Sequence, residues 1–221
     1  MARPRVLVTG FGPFPGAPEN PSAWLAEALA AHTSLLNCEL HAQVIPTEWE
    51  TVAALTPRLY EGLQPLVIIH FGLCQRTQGF RIERSAYNRV APRADARAAL
   101  PPAKFILAQG ADRLDTRLPA VRLAAHLRAG GLATATSRTA GRYLCNFLYY
   151  RSLAWAARQE DAPLVLFVHI PRSTAQGGPF SDAALLHGAQ ETLRFVLAFA
   201  DQHRVTTLAS LPSGERIGAS R

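Results

Sequence analysis

A chain of 221 residues, 48% hydrophobic and 18% charged, has the balance of a globular protein and enough length for one domain with a substantial core. Its net charge of +7 rests almost wholly on scattered arginines, Lys104 being the only lysine, and with no basic run interleaved with aromatics it gives no reason to expect nucleic acid as a partner. The three cysteines Cys38, Cys74 and Cys145 are odd in number and lack paired spacing, which argues against a disulfide framework and for a reducing, cytoplasmic setting. No CxxC or HExxH spacing supports zinc, no cofactor is implied, and no apolar run approaches the roughly 20 residues a membrane helix needs. The opening MARPRVLVTG reads as a short basic lead into a strand and not as a signal peptide.

In chain order, Val6 to Thr9 is a β-branched run that stops at glycines, the mark of a buried strand ending in a loop. A helix is expected over 21–31, started by Asn20 or Ser22. A strand follows over 41–45, an amphipathic helix over 48–63, and a strand over 66–70. The segment 80–88 reads as one further strand, and 89–115, rich in Pro, Ala and Arg, as mostly loop. A helix over 119–129 closes at Gly130-Gly131, then come a short strand over 133–137 and a strongly apolar helix over 144–159. The run from Pro163 to Ile170 is the clearest strand, and a long helix spans 181–203. Strands alternating with helices predict a largely parallel sheet covered on both faces, with ligands at the strands' carboxyl ends. The loops after Thr9, His70 and His169 are therefore the places to look. The expected domain spans 1–212, with 213–221 as a disordered tail.

Four stretches carry chemistry. VLVTGFGPFPG is a strand followed by glycines, but Pro13 and Pro15 interrupt the turn where a nucleotide fingerprint needs a helix N-terminus. The alternatives are a rigid loop, or a loop holding Phe11 and Phe14 as a flat apolar slot for a small ring. In SRTAGRYLCNFLYY, Cys145 sits where a small-residue turn becomes a helix. A buried structural cysteine is the common case for such a residue. A place near a helix N-terminus predicts instead a lowered thiol pKa and free N–H groups for an oxyanion. His169 closes a run of apolar residues; a core histidine is one reading, the base for a cysteine at a strand end the other. Glu83, in RIERSAYN, is by default a salt-bridged surface residue, and becomes an orienter for His169 only if the fold brings the two together.

TGFGPF with ENPS, TAG-x-x-x-CN (Thr139 to Asn146), ERSAYN and VHIP, over residues 5 to about 171, resemble the pyroglutamyl peptidase I family, the pyrrolidone-carboxylate peptidases. The order Glu, Cys, His agrees, with His169 falling 24 positions after Cys145. The resemblance implies an α/β fold: a single-domain three-layer α/β/α sandwich with a mostly parallel, mixed central sheet. It implies a cysteine omega-peptidase that removes N-terminal pyroglutamate from peptides through a thioester, with Cys145 as nucleophile, His169 as base and Glu83 as orienter. Arg93 matches a family arginine near the oxyanion. Phe11, Phe14, Thr47, Leu73, Tyr143 and Leu144 match the pocket for the pyrrolidone ring, and Asn20 a position that bonds the ring amide or the adjoining loop. It also implies a cytoplasmic homodimer or homotetramer. The chain departs from the pattern where Cys74-Gln75-Arg76 replaces Gly-Gly-Arg, and where Arg172-Ser173-Thr174 follows HIP. Those changes leave open a related thiol amidase with altered acyl preference, or an inactive binding homologue.

Overall fold

A computed structural model describes residues 3–32 and 37–210; the expected tail 213–221 lies outside them. The chain runs β1 (Arg5–Phe11), α1 (Pro21–Ala31), β2 (Glu39–Ile45), α2 (Trp49–Leu63), β3 (Val67–Leu73), β4 (Phe80–Glu83), β5 (Ser85–Tyr87), β6 (Arg113–Asp115), α3 (Ala120–Ala129), β7 (Thr134–Ser137), α4 (Leu144–Ala156), β8 (Leu164–Ile170) and α5 (Asp182–Ser210), with a 3₁₀ turn at Thr174–Gln176. Six strands form one sheet in the order β2-β1-β3-β8-β4-β7. The first four are mutually parallel; β4 pairs antiparallel with β8 and carries β7 parallel to itself. The fold is the expected α/β sandwich with a mixed, mostly parallel sheet.

Side chains alternate across a strand, so each central strand feeds both faces. Val6, Val8, Val67, Ile69, Leu166 and Val168 pack with α1, α3 and α5. Leu7, Phe11, Ile68, Val165 and Phe167 pack with α2 and α4. That is why these strands read as continuous apolar runs rather than alternating ones. Close packing fixes Gly10, because a Cβ there would stand 1.8 Å from the carbonyl oxygen of Ser22 in α1.

Helix starts are held by local chemistry. Asn20 caps α1 by accepting from the Ser22 N–H at 3.2 Å, and Pro21 follows it, the residue order that favours a helix start. At α2, Glu48 makes no capping bond; Asp95, from the long loop, accepts from the Trp49 N–H at 2.9 Å instead.

Two expectations are corrected. The segment 80–88 is not one strand. The chain changes partners at Arg84, whose N–H donates to Ser137 O at 2.7 Å and whose carbonyl accepts from Thr116, so β5 leaves the main sheet and pairs antiparallel with β6. Alternation is the same in one strand or in two laid end to end, and pairing partners are not written in it. The third strand also runs on past His70 to Leu73, which makes His70 a core residue and not the lip of a loop.

His70 sits in a buried polar chain between the sheet and α2/α4. Ser152 Oγ donates to Leu148 O at 2.7 Å, so it accepts from Tyr60 OH at 2.6 Å and from His70 Nε2 at 2.8 Å. His70 Nδ1 then accepts from Thr9 Oγ1 at 2.7 Å. Every member is satisfied with the imidazole neutral. Burial pushes the His70 pKa down to about 3.

Candidate active site

The reversal of direction between β8 and β4 builds the site. In β8 the cross-strand neighbour of His169 is Arg81 on one side, in antiparallel register, and Gly72 of β3 on the other, in parallel register. Glu83 lies two residues beyond Arg81, on the same face of β4. Its Oε1 accepts from His169 Nδ1 at 2.8 Å. The carboxylate is only an acceptor, so Nδ1 carries the proton and Nε2 is left to take one. Glu83 is 0% exposed and His169 5%. The surface default for Glu83 is therefore overturned: β4 is interior, and the charge is paired. Arg81 Nε donates to the same Oε1, also at 2.8 Å, while Oε2 is buried without a partner.

Cys145 occupies the first turn of α4, directly after Tyr143 and Leu144. Its Sγ lies 3.3 Å from the point a Cβ on Gly72 would occupy, which sets the thiol over the Gly72–His169 pair. No hydrogen bond joins Sγ to the imidazole at rest. The expected lowering of the thiol pKa is corrected here. Burial, followed by the charge of Glu83 and the neighbouring Cys74, pushes the Cys145 thiol up to about 12, outweighing its own backbone N–H and Arg93, which pull it down. A helix N-terminus stabilises a nearby negative charge by about 0.3–1 kcal/mol, up to ~2, which is less than the several pK units, at about 1.4 kcal/mol each, by which burial can disfavour a thiolate. The resting group is a thiol, and its proton needs an acceptor.

The remaining residues gather in two places. Asn20 Nδ2 and Thr47 Oγ1 both donate to Gly12 O, at 3.1 and 2.9 Å. Asn20 Oδ1 accepts from Ser22 N and Oγ, so its amide joins the loop after β1 to the start of α1. Phe11 is 2% exposed and belongs to the core below the loop, whereas Phe14 is half-buried on the loop itself. Leu73, also half-buried, ends β3. Beside Cys145, Leu144 is buried, and Tyr143 donates its hydroxyl to Ala94 O at 3.0 Å while Arg93 stacks on its ring at 4.5 Å. Asn146, 0% exposed, bonds Tyr87 N, Tyr87 O and Arg89 O, fastening the end of β5 and the chain beyond it to the helix that carries Cys145.

Sequence reading missed Arg81 and Gly72. The signal for Arg81 was its place two residues before Glu83 in a strand, which puts both on one face. Gly72 gave none, since its value lies in what approaches it. Replacing Gly72 with alanine puts a methyl 2.7 Å from Phe167 Cζ and against Cys145 Sγ. Turnover is expected to fall at least about tenfold, because small displacements of a reacting atom are costly; steady-state kinetics of Gly72→Ala, with circular dichroism to confirm folding, checks this.

The model of the pyroglutamyl peptidase family matches residues 4–177. The chain belongs to the pyroglutamyl peptidase family. It is a hydrolase of the cysteine peptidase type. It is 32% identical over 179 residues to pyroglutamyl-peptidase 1 of Rattus norvegicus, covering 77% of this chain and 81% of that protein. It is 31% identical over 170 residues to the pyrrolidone-carboxylate peptidase of Oceanobacillus iheyensis, covering 76% and 84%. In three dimensions it is similar to a mutant pyrrolidone carboxyl peptidase of Pyrococcus furiosus, with a TM-score of 0.83 at 25% identity over 89% of this chain and 99% of that one. Among the described residues no helix is long and apolar enough to cross a membrane, and no cluster of three or more His, Cys, Asp or Glu is arranged to hold a metal.

Proposed function

We propose that this protein hydrolyses the bond after an N-terminal pyroglutamyl residue of peptides, with Cys145 as nucleophile, His169 as base and Glu83 as orienter. The observation that carries this reading is the His169 Nδ1–Glu83 hydrogen bond of 2.8 Å across β8 and β4, with the Cys145 sulfur beside Gly72, the neighbour of His169 in β3. His169 Nε2 takes the thiol proton as sulfur attacks the pyroglutamyl carbonyl, so that a raised resting thiol pKa is no obstacle. The oxyanion faces the first-turn N–H groups of α4, with Arg93 near by. Collapse breaks the amide bond, His169 returns the proton to the leaving amine, and water releases the acid from the thioester. A flat, neutral lactam suits an apolar surface edged by backbone groups, and half-buried Phe14 on the loop after β1 offers one.

The first substituted segment touches the loop that presents Phe14: Gln75 Nε2 donates to Gly16 O at 2.8 Å. Gln176, two residues past the second, donates from Nε2 to Glu19 O at 3.0 Å on the same loop. A thiol amidase with altered acyl preference is therefore the second reading. One assay separates the two: release of aminomethylcoumarin from pyroglutamyl amide, compared with prolyl, glutaminyl and acetyl amides. The pyroglutamyl amide is expected to be preferred at least about hundredfold, since a site built around polar lactam groups rejects analogues that leave them unpaired. Preference for another acyl group would move the chain to the second reading. By the same family resemblance the working form is a homodimer or homotetramer in the cytoplasm, which light scattering and fractionation check.

A further inference from the structure

We propose that Arg81 is a positioning residue of this site, one that sets how firmly Glu83 holds the imidazole of His169. The inference rests on the proposed cysteine–histidine chemistry but not on the identity of the acyl group. Arg81 stands directly opposite His169 across the β4–β8 pair. Its Nε and His169 Nδ1 donate to a single oxygen, Oε1 of Glu83, both at 2.8 Å, although Oε2 is buried and bare. A carboxylate has two oxygens and about four lone-pair sites; here both donors draw on one of them.

Two consequences follow. A guanidinium is permanently charged, so it offsets part of the negative charge that would otherwise stabilise the imidazolium. It thereby favours the neutral ring, the form able to accept the thiol proton. Arg81 Nη2 also reaches Thr139 O at 3.5 Å, in the turn that leads into Cys145, which ties the orienting carboxylate to the nucleophile's side of the site. Of the charged or titratable groups beside this site, Glu83, Cys74 and Arg93 act on the Cys145 thiol, while Arg81 shares the orienting oxygen with His169. Its side chain is 32% exposed while that of Glu83 is 0% exposed, so its charge is partly screened and its effect moderate.

The test compares Arg81→Met and Arg81→Lys with wild type. In Arg81→Met the acid limb of the kcat/KM profile moves up by about half a pH unit and kcat at pH 6 falls by up to about threefold with KM unchanged, in line with loss of one partly screened charge. Arg81→Lys, which keeps the charge, returns the limb to its wild-type position. A profile for Arg81→Met that overlays the wild type overturns the proposal; so does an equal loss in both variants with an unmoved limb, which is the mark of a merely structural role. Alkylation of Cys145 by iodoacetamide across pH 5–8 reads the same proton acceptor without substrate. If the wild type cleaves no pyroglutamyl amide, the substrate reading fails alone, and the alkylation profiles of the three proteins still decide the role of Arg81.

Discussion

Cys145→Ser keeps its fold and loses at least about 10,000-fold in hydrolysis of a pyroglutamyl amide, the scale seen when the nucleophile of a catalytic triad is removed. The two side chains differ by one atom, and α4 continues past this position for eleven residues of largely buried helix, so nothing in the packing requires the sulfur. A serine hydroxyl is a weaker acid and a poorer nucleophile than a thiol. His169 and Glu83 remain in place but have no reactive partner. Steady-state kinetics on the fluorogenic amide, with thermal denaturation as the fold control, measure both halves. More than about 1% residual turnover in Cys145→Ser would assign the chemistry to another group, given the losses typical of triads. Glu83→Gln extends the test: the amide still fits, but it no longer offers a charge to the imidazolium, and a loss of about 100- to 10,000-fold is expected.

The second large effect is on stability in acid. His70 has its pKa pushed from 6.5 to about 3 by burial, so the unfolded chain takes up a proton there at mildly acidic pH and the folded protein does not. Stability from this group is complete above about pH 6.5 and drains away as pH falls toward the folded value. At about 1.4 kcal/mol per pH unit, the loss between pH 6.5 and 4.5 is roughly 2–3 kcal/mol, a large share of a typical domain's stability of about 5–15 kcal/mol. Urea unfolding at pH 7.5 and 4.5 measures it. His70→Gln supplies the control, because the amide can accept from Thr9 and donate to Ser152 with no proton to gain. Its stability is expected to depend less on pH by that amount, and parallel curves for the two proteins would remove His70 as the cause.

Both predictions rest on residues whose meaning differed between sequence and structure. Cys145 and His169 were visible as residue types in suggestive settings, and the family motifs gave them roles. Their electrostatics were not visible. The position of Cys145 in the first turn of a helix argued for a depressed thiol pKa, yet burial beside Glu83 and Cys74 reverses the sign. His70 read as the end of a strand, but β3 continues three residues further and the ring closes a polar chain with Thr9, Ser152 and Tyr60. Both errors have one origin: desolvation depends on every element packed around a group, and none of those is near it in the chain.

What the sequence by itself determined is the alternation of strands and helices, the layered α/β class, the helix start at Asn20, and the three residue types that a thiol hydrolase needs. These follow from local preferences and from hydrophobic period, which short windows contain. What only the tertiary structure decided is pairing. The reversal of β4 against β8 brings Glu83 and Arg81 to His169, residues more than 80 positions apart in the chain. The partner change at Arg84 splits a single apolar pattern into two sheets. The bareness of Gly72 leaves room for the sulfur of Cys145. Strand order and register are set by long-range packing that leaves the same local pattern in many arrangements, so the sequence could name Cys145, His169 and Glu83 as candidates while only the fold brings Glu83 to His169 and sets Cys145 beside Gly72.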